Sequence, residues 1–99
     1  MNVLAAEQRE VAMRFADKDL SLDERFACAE WLQLATGAPV LHGAISALDC
    51  EVTSVTEVGT HTVFFCAVKA AHGASGQAGL IYFGRDFHPV GSVAHPTAA

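Results

Sequence analysis

Histidine, cysteine, tyrosine and arginine are the side chains of this chain that could do chemistry, and their spacing narrows what that chemistry is. Five histidines stand at His42, His61, His72, His88 and His95. None forms an H-x-x-x-H or H-E-x-x-H arrangement, and no carboxylate cluster completes a ligand set, so a metal site is not expected. Cys28, Cys50 and Cys66 are odd in number and match no C-x-x-C spacing. Cys50 and Cys66 lie in apolar runs, where a cysteine is ordinarily a small core residue. No serine or cysteine sits in a nucleophile motif. His61 stands apart, because it follows Gly59-Thr60 at the start of a strand-like run. A glycine there permits a positive φ or a close approach. The imidazole then either projects over a ligand at a barrel mouth or is hydrogen-bonded locally as a turn histidine. Tyr82, Arg85 and Phe87 form a second group near the end of the last apolar run. Arg85 is suited to a phosphate or carboxylate, or it snorkels from the surface. No G-x-G-x-x-G or P-loop is present, so a nucleotide would have to bind by other means.

The elements that must position these residues centre on Gly43 to Phe83. Gly43–Thr56 and His61–Ala71 are rich in Val, Ile, Thr and Phe, and Glu57-Val-Gly-Thr60 joins them, which predicts a β-hairpin. On the first arm Ala44, Ser46, Leu48, Cys50 and Val52 alternate with Asp49, Glu51 and Thr53, predicting a core face and a partly wet face. On the second arm both faces are apolar: His61, Val63, Phe65 and Ala67 on one, Phe64, Cys66 and Val68 on the other. Such a strand requires a cover on each side, from a barrel interior and from a helix or second subunit. Gly79-Leu-Ile-Tyr-Phe83 follows a small, flexible loop over 71–78 and is expected to pair beside the hairpin.

Ahead of the hairpin, Met1-Asn-Val-Leu4 reads as the end of a strand. Leu4, Val11, Ala12 and Phe15 then fall on one face of an amphipathic helix over Ala5–Ala16. Ser21-Leu-Asp-Glu24 fits a capping box ahead of a short helix over Leu22–Ala27. Trp31 reads as a packing anchor and Ala35–Pro39 as a turn. The chain of 99 residues makes one domain, over residues 1–90, with a fraying tail at 91–99. The apolar share of 52 % leaves surface for a partner chain to cover. A net charge of −5 with scattered cations argues against nucleic acid. No apolar run approaches the ~18 residues of a membrane span and no basic-then-apolar leader is visible, so a soluble cytoplasmic protein without membrane contact is expected.

Taken in order, Met1-Asn-Val-Leu4 before a charged helix, Glu24-Arg-Phe26, Gly37-Ala-Pro-Val-Leu41 with Gly43-Ala44, the Gly59-Thr-His61 turn, Gly79-Leu-Ile-Tyr-Phe83, Arg85 and Phe87-His-Pro-Val90 form a recognisable series. The chain resembles the flavin reductases of two-component monooxygenases, most of all the branch that serves 4-hydroxyphenylacetate 3-monooxygenase. The resemblance implies an α+β fold, the C-terminal part of an FMN-binding split β-barrel: an antiparallel meander with one amphipathic and one short helix. It also implies a homodimer that binds FMN or FAD, reduces it with NADH or NADPH and releases it to a partner oxygenase. The family's G-D-H motif maps onto Gly59, Thr60 and His61, with Thr60 in place of the common Asp. Its C-terminal aromatic-x-Arg stretch maps onto Tyr82, Arg85 and Phe87, and Asn2 belongs to the opening motif. The resemblance makes all seven cofactor-binding candidates, with His61 positioning a ring rather than acting as a catalyst. In the family about half the protein precedes the Asn-Val-Leu motif, so this chain corresponds to the later half. The alternatives are a non-catalytic barrel remnant that only dimerises or binds flavin weakly, and an unrelated β-meander interaction domain.

Overall fold

The computed structural model describes residues 1–73 and 76–91; the expected tail beyond Gly91, with His95, lies outside the described residues, as do two residues of the 71–78 loop. Its elements are β1 (Asn2–Val3), a 3-10 turn (Ala6–Gln8) leading into α1 (Arg9–Ala16), α2 (Leu22–Phe26), β2 (Trp31–Leu32), β3 (Val40–Leu41), β4 (Ser46–Val58), β5 (His61–Gly73), β6 (Gly79–Phe83) and β7 (Asp86–Val90). They form three antiparallel sheets, β1-β4-β5, β2-β3 and β6-β7. The architecture is the mainly β, two-helix arrangement expected, with the sheets left open rather than closed into a barrel.

The capping box ahead of α2 forms in full. The Glu24 amide donates to Ser21 Oγ at 3.1 Å and the Ser21 amide to Glu24 Oε1 at 2.9 Å. At the start of α1, Gln8 accepts from the Ala5 amide at 2.9 Å and donates to the His42 carbonyl at 3.0 Å. That second bond ties the helix to the turn before β4. Gly43 is needed in this turn, because its φ is +84° and a Cβ there would stand 3.2 Å from Gln8 Nε2.

The core sits around the base of the long hairpin, where Ala5, Val40, Leu41, Ala44 and Ala47 are buried. On β4 the expected faces are reversed. Ala47 and Asp49 are buried, whereas Ser46, Leu48 and Cys50 are only half-buried and Val52 is exposed. The physical reason is the 35–39 turn, which folds over the Asp49 side and supplies its carboxylate with donors. Two register shifts, at Asp49/Cys50 and Val52/Ser54, also interrupt the simple alternation along the ladder.

One strand expectation is corrected as well, and one strand goes beyond the expectation. Trp31-Leu32 is a strand, paired to Leu41 and Val40. The Gly79–Phe83 run does not join β5; among the described residues it pairs with β7 and bridges to Ala5 through Gly79. Pro89 tolerates a place in β7 because that strand is an edge, with no second neighbour to require its missing N–H. Beyond Cys50 the β4–β5 hairpin leaves the body, and among the described residues β5 makes substantial contact with β4 alone. Its outer half, roughly 25 Å long at the rise of a strand, explains a radius of gyration of 15.4 Å, against about 13 Å for a compact domain of this size.

Candidate functional site

Gly59 and Thr60 make the two-residue turn at the tip of the β4–β5 hairpin, between the paired residues Val58 and His61. Gly59 has φ +60° at the first turn position, the place a II′ turn reserves for glycine, and a Cβ there would meet nothing within 4 Å. The space beside Gly59 is therefore open. His61 is exposed, and among the described residues its imidazole takes part in no hydrogen bond. The locally bonded turn histidine is not what forms. Below it, Thr62 Oγ1 donates to Glu57 Oε1 at 2.8 Å and steadies the last rung of the ladder.

Tyr82, Arg85 and Phe87 are carried by the other hairpin, so the two groups of candidates are not brought together within one chain. Gly84 and Arg85 form its turn with φ of +63° and +66°, the left-handed pair of a type I′ turn. The Tyr82 and Phe87 rings pack at 5.0 Å, tilted by 56°. The hairpin lies against α1, leaving a groove of about 660 Å³ between them. Arg9 crosses one end of it. Its guanidinium stands 5.7 Å from the centre of the Phe87 ring and donates to Asp86 Oδ1 at 2.9 Å. The Phe87 amide donates to the same carboxylate, and this bond, together with Arg9, holds the Asp86 pKa below its usual value. The amphipathic pattern that places Leu4, Val11, Ala12 and Phe15 on one face says nothing of this pairing of Arg9. The missed signal was β7 itself, which the glycine-and-proline-rich sequence concealed.

Asn2 is placed otherwise. Its Oδ1 accepts from the Leu41 amide at 3.0 Å and its Nδ2 donates to the Pro39 carbonyl at 3.4 Å. Both ends of the carboxamide are spent on closing the chain around β3, which makes Asn2 a structural clamp in this arrangement. It borders a mostly apolar pocket of about 280 Å³, walled by Leu4, Phe15, Phe26, Trp31 and Leu41. Trp31 is the packing anchor expected. Its Nε1 donates to the Phe26 carbonyl at 2.8 Å, and its ring meets Phe26 at 4.9 Å and Phe15 at 5.7 Å.

Asp49 was not expected to matter and is the most fully engaged carboxylate in the molecule. Only 2 % exposed, it accepts from the Ala35 and Thr36 amides at 2.7 and 2.8 Å and from the Thr36 hydroxyl. The Thr36 side chain first, then the two amides, hold its pKa below the ordinary aspartate value against the opposing effect of burial. It positions the turn leading to β3, and its burial keeps it from the surface. Among the described residues no three His, Cys, Asp or Glu side chains gather as metal ligands, and no helix is long and apolar enough to cross a membrane.

The class of protein to which this open sheet arrangement belongs is given by the comparisons with known proteins. The family model for the flavin reductase like domain matches residues 1–91. The chain belongs to that family. It is 46 % identical over 91 residues to the FMN reductase (NADH) RutF of Bradyrhizobium diazoefficiens, a match that covers 92 % of this chain and 50 % of the relative. It superposes on BorF, the flavin reductase component of a bacterial two-component tryptophan halogenase, with a TM-score of 0.82 at 28 % identity, covering 92 % of this chain and 58 % of that one. The NADH:FAD oxidoreductase SgcE6 of Streptomyces globisporus, solved with NAD and FAD fragments, matches with a TM-score of 0.78 at 31 % identity, over 99 % of this chain and 56 % of that one. The chain thus spans about half the length of the curated relatives it matches.

Proposed function

We propose that this chain is the nicotinamide- and flavin-facing C-terminal part of an NADH-dependent FMN reductase, working as a homodimer in the cytoplasm and passing reduced flavin to a partner oxygenase or halogenase component. The observation that carries the reading is the tip of the long hairpin. In a chain of this family, Gly59, Thr60 and His61 present an imidazole and a hydroxyl with no hydrogen-bond partner among the described residues, on a turn with nothing crowding it. Those groups fit the polar edge of a flavin or nicotinamide ring. The flavin, when bound, supplies the hydride acceptor; the protein's task is to hold the rings and exclude water. His61 acts by position, as a donor or acceptor at a ring edge, and needs no proton transfer of its own. NADH and FMN are favoured by the name of the relative at 46 % identity. Delivery to a second component is favoured by the role printed for BorF. The homodimer accounts for the two apolar faces of β5 that a single chain leaves uncovered, with Phe64 58 % and Phe65 55 % exposed.

The test is NADH oxidation by the purified chain with added FMN, beside His61→Ala, in samples whose near-ultraviolet dichroism reports an intact Trp31 cluster. The expected result is turnover that falls at least tenfold in the variant. A folded chain that binds FMN without turning over NADH would instead establish the non-catalytic remnant.

A further inference from the structure

The pocket beside the Trp31 cluster has no ligand assigned to it. Leu41, 2 % exposed, makes its floor, Leu4 and Val11 an aliphatic side, and Phe15, Phe26 and Trp31 an aromatic side. The exposed residues of the lining, Phe15 and Pro39, mark its mouth, between α1 and the 35–39 turn. The shape is set before any ligand arrives. Asn2 clamps β1 to Pro39 and Leu41, the Trp31 ring is pinned to the Phe26 carbonyl, and β2 is paired to β3. Small-molecule sites are largely pre-formed in this way.

The polarity of the lining decides what the pocket can take. Its polar side-chain groups are the Asn2 carboxamide and the Trp31 N–H, and both already have their partners within the chain. Among the described residues no charged side chain lines it. A charged ligand would lose its water there and gain no partner, so the occupant is neutral and apolar over most of its surface. The rings narrow the choice further. Phe15, Phe26 and Trp31 meet pairwise with centroids 4.9 to 5.7 Å apart, in edge-to-face or tilted contacts. Aromatic rings prefer such contacts, and three of them leave ring faces unoccupied, so a fourth ring extends the cluster. The volume of about 280 Å³ is close to twice the ~150 Å³ of an apolar protein cavity that takes up benzene. It suits one substituted ring or two fused rings. A flavin, with three fused rings, a polar edge and a phosphate, exceeds it in both size and polarity.

We propose that this pocket binds a neutral one- or two-ring aromatic molecule, its ring against the Phe15–Phe26–Trp31 cluster and any hydroxyl or N–H of its own at the mouth. The inference goes beyond the reductase reading and does not rest on it. The lining contains none of Gly59, Thr60, His61, Tyr82, Arg85 and Phe87, and Asn2, which it does contain, is spent on the clamp.

Indole is the probe. Titrated into the full chain with isotopically labelled methyl groups, it is expected to shift the Leu4, Val11 and Leu41 methyl resonances and to leave those of Val63, Val68 and Ile81 unmoved. Indole-2-carboxylate, the same ring with a charge, should bind at least tenfold more weakly. Val11→Phe adds volume at the wall and should weaken indole at least tenfold. Phe15→Leu removes a ring at an exposed position, where the fold tolerates the change, and should weaken indole severalfold. Near-ultraviolet dichroism without ligand checks that each variant keeps the Trp31 cluster. Absence of methyl shifts in the pocket, equal affinity for indole and its carboxylate, or affinity unchanged in both variants would overturn the proposal. So would displacement of indole by FMN, or loss of its binding as protein concentration rises with indole in excess. Those two results would give the pocket to the flavin and to a second copy of the chain, respectively.

Discussion

Asp49 shows how one carboxylate fixes the geometry of a much larger region. Its three donors come from Ala35 and Thr36, so the charge is consumed in holding the turn that delivers Val40 and Leu41 to the core. Asparagine at this position offers one acceptor oxygen where the site needs two, and turns an NH2 toward backbone donors. Asp49→Asn is therefore expected to lower the denaturation midpoint at neutral pH, and Asp49→Ala to lower it further. The pH dependence has a definite sign. The folded-state pKa lies below the ordinary value of 3.8, so the stabilisation is fully present above that value and is lost as pH falls through the depressed one. Urea denaturation of parent and Asp49→Asn at pH 7 and then below 3.8 should show the difference between them shrinking on acidification; a constant difference would mean that the charge is not what holds the turn. The sequence hides this residue because alternation alone assigns an aspartate between Leu48 and Cys50 to the wet face. Thr36 at the head of the turn was the available signal, since a threonine beside Ala35 and Gly37 presents a hydroxyl and two amides to one acceptor.

At the level of elements, local rules succeeded where the partner of a residue lies within four positions and failed where it lies across the molecule. Ser21 and Glu24 satisfy each other three residues apart, and the predicted box forms bond for bond. Ser21→Ala should destabilise the chain by about 1 kcal/mol, measured by the same urea titration, with the loss confined to α2 and the Trp31 cluster it supports through the Phe26 carbonyl. The β6–β7 hairpin escaped because Gly84-Arg85 is not one of the usual turn pairs and Pro89 disguises the returning strand. Arginine is a poor occupant of a left-handed site, and glycine there should stabilise the folded chain by about 1 kcal/mol. Arg85→Gly is thus expected to raise the denaturation midpoint in the same urea titration. An unchanged or lowered midpoint would show that the left-handed conformation costs the arginine nothing.

For the whole molecule, the apolar reading of β5 was legible from composition, since Phe64 and Phe65 face opposite sides of any strand, but the identity of the cover was not. Within one chain neither ring is covered, and a two-stranded ribbon standing in water is marginal on its own. Any cover must therefore stabilise the outer half of the hairpin far more than its base, which β1 and the 35–39 turn already hold. If a second copy supplies the cover, amide exchange over Glu51–Phe65 should slow as protein concentration rises from about 1 to 100 μM, by an amount set by mass action. Exchange over Ser46–Asp49 should be slow and independent of concentration. Exchange mass spectrometry at the two concentrations resolves these segments. Uniform exchange along β4 and β5 at both concentrations would show that copies of this chain do not cover the hairpin, and would leave the tip bearing His61 without the rigid support that positioning a ring requires.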